Sequence, residues 1–233
     1  MKKTSTFFFF LLCFAFKGCF MNKTMTTETN DQSLKPIVIA IVGDSTVADY
    51  AEEDKLRGWG QMIPEFFTAN VTVINYAKCG ESSKSFIKKG FWDEALANRA
   101  DYFMIQFGHN DCPGKGDRAT DPNTDYKDYI LKYIDDSRKS GAQPILVTPM
   151  ERRNFEQDGT VKLTLDKYSD AMKKVGKITN VPVIDLHERS VRFYEFLGEE
   201  GSNYLNTEAD RTHFISHSPE SSSQSQTTQT KQY

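Results

Sequence analysis

Hydrophobic positions along the chain follow two alternating patterns. Short continuous apolar runs stand at 36–42 (PIVIAIV), 71–77 (VTVINYA), 102–107 (YFMIQF), 144–148 (PILVT) and 181–186 (VPVIDL). They are rich in β-branched and aromatic residues, which suits strands covered on both faces, as in a parallel sheet. Between them lie stretches with helical spacing, at 58–67, within 86–97, and at 124–140, 165–178 and 188–197. In 124–140, Tyr126, Tyr129, Ile130, Tyr133 and Ile134 share one face. Thr124 is placed to cap that helix, Asp125 favours its first turn, and Gly141 ends it. Leu165, Tyr168, Met172 and Val175 make the corresponding face of 165–178. Pro64 kinks the 58–67 segment or delays its start, and Gly198 stops 188–197. Strands separated by helices predict an α/β domain, a parallel doubly wound sheet with right-handed crossovers. The stretch 151–162 (ERRNFEQDGTVK) is longer than a usual strand–helix loop and is a candidate substrate-binding loop.

The ends of the chain have a different character. Residues 1–20 pair a basic start, Lys2 and Lys3, with an almost wholly apolar 7–16. That is a secretory signal, too short to span a bilayer as a stable helix. Gly18 before Cys19 offers a lipoprotein-type cleavage site, with a lipid on Cys19 as the sole membrane attachment; ordinary cleavage a few residues later is the alternative. Residues 21–35 are a polar linker, and 216–233 (SHSPESSSQSQTTQTKQY) has no apolar periodicity and reads as a disordered tail. This leaves 36–215 as one domain, expected to be exported (periplasmic, cell-surface or extracellular) and monomeric.

Charge and cysteines narrow the classes further. The formal net charge of −3 becomes −6 when Lys2, Lys3 and Lys17 leave with the signal, so no basic footprint for nucleic acid remains. Cys13 and Cys19 belong to the signal. Cys79 and Cys112 are too few for a zinc site or a disulfide framework; they form one bridge or stay free. Lys78, Lys84, Lys88 and Lys89 cluster around Gly80, either as a rim for an anionic substrate or as a solvated face.

Candidate chemistry sits just past the strand ends. Gly43-Asp44-Ser45-Thr46 follows the first apolar run, and in an open α/β sheet ligands bind beyond the carboxyl ends of the strands. Ser45 is the candidate nucleophile. His213 in Asp210-Arg211-Thr212-His213 is the candidate base, with Asp210 near enough to fix its tautomer. Oxyanion donors are available from the backbone N–H groups of Ser45 and Gly80 and the side-chain amide of Asn110. A turn, a helix cap or a surface Asp–His contact explains each of these alone; together, all at strand ends, they describe ester hydrolysis.

These stretches resemble the SGNH (GDSL-type) hydrolase superfamily, and within it the rhamnogalacturonan acetylesterase-like carbohydrate esterases. The residues that carry the resemblance are GDST at 43–46, GESSKSF from Gly80, FGHND at 107–111 and DRTHF at 210–214. The resemblance implies a flavodoxin-like three-layer sandwich with a five-stranded parallel sheet. It implies a catalytic triad of Ser45, Asp210 and His213 and an oxyanion hole of Ser45, Gly80 and Asn110. Asp44, His109 and Asp111 are implied as supports, and no metal or organic cofactor is. The substrate implied is an acetylated pectic polysaccharide or oligosaccharide, deacetylated through an acetyl-serine intermediate. Family members continue past the histidine into an amphipathic C-terminal helix, which the polar tail at 216–233 replaces here. The rival readings are a lipid or aryl ester hydrolase on the same fold and a truncated, inactive carbohydrate-binding relic.

Overall fold

The computed structural model describes residues 35–205 and 210–215. The signal, most of the linker and the polar tail lie outside the described residues. Strand β1 (Ile37–Val42) is the centre of the molecule. It pairs in parallel with β3 (Val71–Asn75) on one side and β4 (Tyr102–Ile105) on the other, so that Ile39 faces both Val73 and Tyr102. Strands β5 (Gln143–Val147) and β6 (Val183–Ile184) extend the sheet beyond β4, again in parallel. The spatial order β3-β1-β4-β5-β6 is that of flavodoxin-like sheets. The order reverses at β1, so the crevice at its carboxyl end, between the loops after β1 and β4, is the natural ligand site.

The two faces of the sheet are covered unequally. On one, Ala40, Val42, Phe103, Ile105 and Leu146 pack under helices α2 (Ser83–Lys88), α3 (Phe91–Ala97), α4 (Asp125–Lys139) and α5 (Asp166–Thr179). Trp92 makes edge contacts with Phe103 at 4.9 Å and Tyr133 at 4.8 Å between centroids. Each such fully buried side chain contributes about 1.5–3 kcal/mol. On the other face, Ile39 and Ile41 join Val47, Ala48 and Ala77 in a smaller cluster. There Phe66 stays 78% exposed and Ile184 40%.

Several element boundaries differ from the sequence expectations. The 58–67 segment is α1 (Trp59–Met62) followed by a 3-10 turn at Ile63–Phe66, where Pro64 lacks the N–H that would continue the helix. The 86–97 region holds two helices, α2 and α3, parted by Gly90 in the left-handed region at φ 80°. Thr124 does not cap α4; its side chain makes no capping bond, and Asp125 instead accepts from the Asp121 N–H at 2.6 Å. Gly198 stops the 188–197 helix as expected, at φ 68°, ψ 176°; a second helical stretch follows, so α6 (Leu186–Asn203) is two helices across a kink, with Ser202 buried. β6 is only two residues long, because Asp185 already caps α6 by accepting the Glu188 N–H at 3.1 Å. A two-stranded antiparallel ribbon of β2 (Leu56–Arg57) and β7 (Phe214–Ile215) is too short to leave a periodic signal.

That ribbon leads into α1, which presses on the loop following β1. Trp59 N–H donates to the Thr46 carbonyl at 3.0 Å. A Cβ at Gly58 would lie 2.1 Å from the Ala48 carbonyl oxygen, and one at Gly60 2.4 Å from that of Val47. Both obstacles are backbone, so neither gives way cheaply. Gly58→Ala is expected to cost about 1–3 kcal/mol, lowering Tm by several degrees in a thermal melt. An unchanged Tm would show that the loop yields without cost.

Candidate active site

Ser45 stands on a tight turn directly after β1. Asp44, fully buried, accepts from Thr46 N–H at 2.9 Å and from the Thr46 hydroxyl at 2.7 Å. The N–H groups of Val47 and Ala48 both donate to the Asp44 carbonyl at 3.1 Å, closing the turn. Gly43 is required here, since a Cβ would meet Val47 at 2.6 Å and the Gln106 carbonyl at 2.9 Å. Tyr50 donates its hydroxyl to the Ser45 carbonyl at 2.8 Å. The outcome is a half-buried Ser45 whose side chain faces the crevice.

The structure brings Ser45, Asp210 and His213 together. His213 Nε2 lies 2.7 Å from Ser45 Oγ, and His213 Nδ1 lies 2.7 Å from Asp210 Oδ2. A carboxylate only accepts, so Nδ1 carries the proton and Nε2 of the neutral ring is left to accept from the Ser45 hydroxyl. Asp210 Oδ1 accepts from the Thr212 and His213 N–H groups at 2.8 and 3.0 Å. Burial raises the Asp210 pKa, but these backbone bonds and the His213 ring outweigh it and hold the carboxyl below its ordinary range. The arrangement supplies a nucleophile, a base and an orienting carboxylate.

Gly80 and Asn110 follow β3 and β4 at the same edge. Gly80 is left-handed at φ 81°, a conformation that favours glycine. Asn110 donates from Nδ2 to the Glu81 carbonyl at 3.0 Å, leaving its second amide hydrogen for another acceptor. Arg118 Nη1 donates both to the Gly80 carbonyl at 2.6 Å and to Asn110 Oδ1 at 3.4 Å, which fixes which way the Asn110 amide points. Among the described residues no protein acceptor takes the backbone N–H of Ser45 or of Gly80.

The supporting residues are tied across loops. His109 Nδ1 lies 3.2 Å from Asp44 Oδ2, and its Nε2 has no partner among the described residues. His109 therefore faces Asp44, while His213 faces Ser45. Burial raises the Asp44 pKa, but the His109 charge and the bonds from His109 and Thr46 leave it lowered. Asp111 accepts from the Ser83 hydroxyl at 2.5 Å and the Thr120 hydroxyl at 2.9 Å. Burial nevertheless pushes its carboxyl up to about 7.

Four further residues of the site escaped the sequence reading. Gln106 relays between Trp59 Nε1 and the Thr46 hydroxyl, both at 2.8 Å. Arg118 is described above. Glu151 and Arg153 open the 151–162 stretch, but both point inward and are fully buried. Arg153 Nη2 donates to the His213 carbonyl, and its guanidinium lies 4.6 Å from the Phe214 ring centroid. Glu151 accepts from Thr164 N–H and Leu165 N–H at 2.8 and 2.9 Å and meets His187 Nε2 at 3.1 Å. The partners of Arg153 and Glu151 are distant in sequence, so no local motif marks them.

Two readings left open by the sequence are narrowed. Cys79 and Cys112 are free, the first exposed and the second buried; their neighbours are Tyr50 OH at 3.6 Å and the Gly108 carbonyl at 3.4 Å. Of the four lysines near Gly80, Lys88 is exposed on α2 and the other three have partners. Lys84 donates to the Ala119 carbonyl at 2.6 Å, Lys89 pairs with Glu81 at 2.6 Å, and Lys78 lies over the Phe91 ring. Among the described residues no cluster of His, Cys, Asp and Glu suits a metal ion.

Glu151 gives a pH prediction. Burial raises its pKa, but bonds from His187, Thr164, Arg152 and Leu165 prevail and lower it from 4.5 to about 2. A folded pKa below the unfolded one stabilises above the unfolded value and ceases to do so as pH falls through the folded one. Its contribution, roughly 3 kcal/mol, is therefore complete above pH 4.5 and fades toward pH 2. Glu151→Gln is expected to melt well below wild type at pH 7, with the gap closing by pH 2; a gap independent of pH would refute this.

Arg153 gives a second prediction. Arg153→Met keeps volume but drops the donor that holds the His213 carbonyl. Displacing the base by a fraction of an ångström should lower kcat on 4-nitrophenyl acetate about 10–100-fold with little change in KM. Arg153→Lys should restore part of it. An effect on Tm alone would make Arg153 purely structural.

The chain matches the GDSL-like Lipase/Acylhydrolase family over residues 41–215. It is 38% identical over 197 residues to rhamnogalacturonan acetylesterase RhgT of Bacillus subtilis, covering 77% of this chain and 83% of that one. It is 27% identical over 212 residues to a rhamnogalacturonan acetylesterase of Emericella nidulans, covering 78% and 81% of the two chains. Among solved structures, the Bacillus subtilis protein YXIM superposes with a TM-score of 0.70 at 28% identity, over 79% of this chain and 53% of that one. Family match, strand order and site geometry agree: the chain belongs to the GDSL-like lipase/acylhydrolase family and is a carboxylic ester hydrolase.

Proposed function

We propose that the protein is a serine acetylesterase that removes acetyl groups from a plant cell-wall polysaccharide, acetylated rhamnogalacturonan of pectin above all. The observation that carries this reading is the unbroken line of hydrogen bonds from Ser45 Oγ through His213 to Asp210, at 2.7 and 2.7 Å. The substrate class is supported by two relatives that are rhamnogalacturonan acetylesterases.

In the proposed reaction Ser45 Oγ attacks the acetyl carbonyl carbon while His213 Nε2 takes its proton. The carbonyl oxygen gains negative charge and is held by the N–H groups of Ser45 and Gly80 and the free amide hydrogen of Asn110. Asp210 steadies the imidazolium. As the tetrahedral species collapses, His213 returns the proton to the departing sugar oxygen, leaving acetyl-Ser45. Water, deprotonated by His213, then attacks the acyl carbon; the Ser45 Oγ–acyl bond breaks, His213 returns the proton to Ser45 Oγ, and acetate leaves. Asp44, His109 and Asp111 hold the loops and do not exchange protons with the substrate. A polymeric substrate also favours action outside the cytoplasm, in line with the apolar leader at 7–16 and the Lys2–Lys3 start.

One observation favours a second reading, hydrolysis of lipid or aryl esters. An apolar cavity of about 340 Å³ lies between Trp59, Met150, Phe193, Tyr194 and Phe214, and Phe214 adjoins His213 in the chain. An acyl or aryl group would find an apolar wall there. Acetate release from acetylated pectic oligomers, set against hydrolysis of long-chain 4-nitrophenyl esters, separates the two. The proposal expects the first to dominate kcat/KM.

Ser45→Ala is expected to lower kcat by several powers of ten with the fold intact, since the three residues act as a unit. The same change should abolish labelling by a serine-directed fluorophosphonate. Near-normal turnover, or labelling equal to wild type, would remove Ser45 from the role of nucleophile.

A further inference from the structure

Arg118 sits against both neighbouring parts of the proposed oxyanion hole, and only one of its nitrogens does so. Nη1 has two hydrogens, and two acceptors claim them: the Gly80 carbonyl at 2.6 Å and Asn110 Oδ1 at 3.4 Å. The remaining edge of the guanidinium, the Nε–H and Nη2–H pair, has no hydrogen bond or ion pair among the described residues. That edge is a rigid fork with the spacing of a carboxylate's two oxygens. The side chain is half-buried, so the fork is partly shielded from water yet reachable.

Arg118 is the cation in direct contact with both Gly80 and Asn110, whereas Lys88 stands exposed on α2. Lys84 is spent on the Ala119 carbonyl, Lys89 on Glu81, and Lys78 lies over Phe91. Arg118 is held on a short 3-10 turn, Gly116–Arg118, in the loop between Asn110 and α4. That loop also walls a cavity of about 490 Å³ through Pro113, Thr120 and Pro122, facing Leu163, Lys167 and Tyr168. Tyr168 in turn donates to the Asp111 carbonyl at 2.9 Å, so this cavity backs onto the Asn110–Asp111 loop.

We infer that the Nε/Nη2 edge of Arg118 is a carboxylate subsite, reading a uronate of the substrate next to the acetyl group being removed. The inference rests on the carbohydrate reading above and deepens it by naming the residue that tells an acidic glycan from a neutral one. Because Nη1 of the same group holds Gly80 and Asn110, losing Arg118 has two effects. One is common to every ester, through the oxyanion donors. The other falls on carboxylate-bearing substrates alone.

The test compares three substrates: an acetylated rhamnogalacturonan oligomer, the same oligomer after methyl esterification of its carboxylates, and 4-nitrophenyl acetate. Wild type, Arg118→Gln and Arg118→Lys are assayed at low salt, with melting curves to confirm folding. Wild type should prefer the free acid to its methyl ester in kcat/KM. In Arg118→Gln that preference should collapse about 10–100-fold, the size expected of a charge-assisted bidentate pair, beyond any loss shared with 4-nitrophenyl acetate. Arg118→Lys, which keeps the charge and loses the fork, should lie between. A wild type indifferent to methyl esterification, or an Arg118→Gln variant that loses all three substrates by one factor, overturns the subsite while leaving the carbohydrate reading in place. No acetate from either oligomer, with 4-nitrophenyl acetate still hydrolysed, overturns both.

Discussion

A carboxylate taken out of water must be met by donors, and in this protein the donors come from other loops. Asp44, Asp111 and Glu151 are each fully buried just past the ends of β1, β4 and β5. Asp44 joins its own turn to His109. Asp111 joins the start of α2, through Ser83, to Thr120. Glu151 joins the start of α5 to His187 on α6. Leaving any of them unmatched would cost several kcal/mol, so burial itself enforces the cross-links. The loops at the carboxyl edge are thus one network, although each belongs to a different strand.

Buried tyrosines make the same connection from below. Tyr133 of α4 donates to the Ser83 carbonyl and Tyr126 to the Phe107 carbonyl, both at 2.9 Å. Tyr168 of α5 donates to the Asp111 and Thr120 carbonyls. Their rings are core; their hydroxyls are loop anchors. This explains why the thick aromatic layer lies on the face under α2 to α5, where the loops carrying Gly80 and Asn110 are built. It also relates packing to the site: the side chains that stabilise the sheet set the backbone around Gly80 and Asn110.

Much of the fold was legible because its signals are local. Continuous β-branched runs mark the strands, and the face of Tyr126, Ile130, Tyr133 and Ile134 marks α4. Ser45, Asp210 and His213 were legible because each sits in a compact motif, and their spatial meeting follows from strand order. What stayed hidden depends on partners far along the chain. Arg153 acts on His213 sixty residues away, and Glu151 on His187 thirty-six away. Both act on groups with no recognisable pattern of their own, a backbone carbonyl in one case. The cap at Thr124 failed for a local reason: Thr124 has the right chemistry, but its side chain makes no capping bond and Asp125 closes the turn before α4 instead. The β2–β7 ribbon is simply too short to be periodic.

The attachment of the Asp210–His213 segment has a consequence for how the enzyme fails. Ser45 directly follows the central strand β1, whereas the Asp210–Ile215 segment is held by Ser45, by Arg153 through the His213 and Arg211 carbonyls, by the Ile215 N–H on the Leu205 carbonyl, by the Arg211–Glu199 pair and by a ribbon of two residue pairs. These ties are mostly polar and the segment is only half-buried, so opening it is expected to cost less than unfolding the sheet. Local opening would then free His213 while Ser45 and its turn stay in place, and turnover is expected to stop at a lower temperature than that at which the sheet melts.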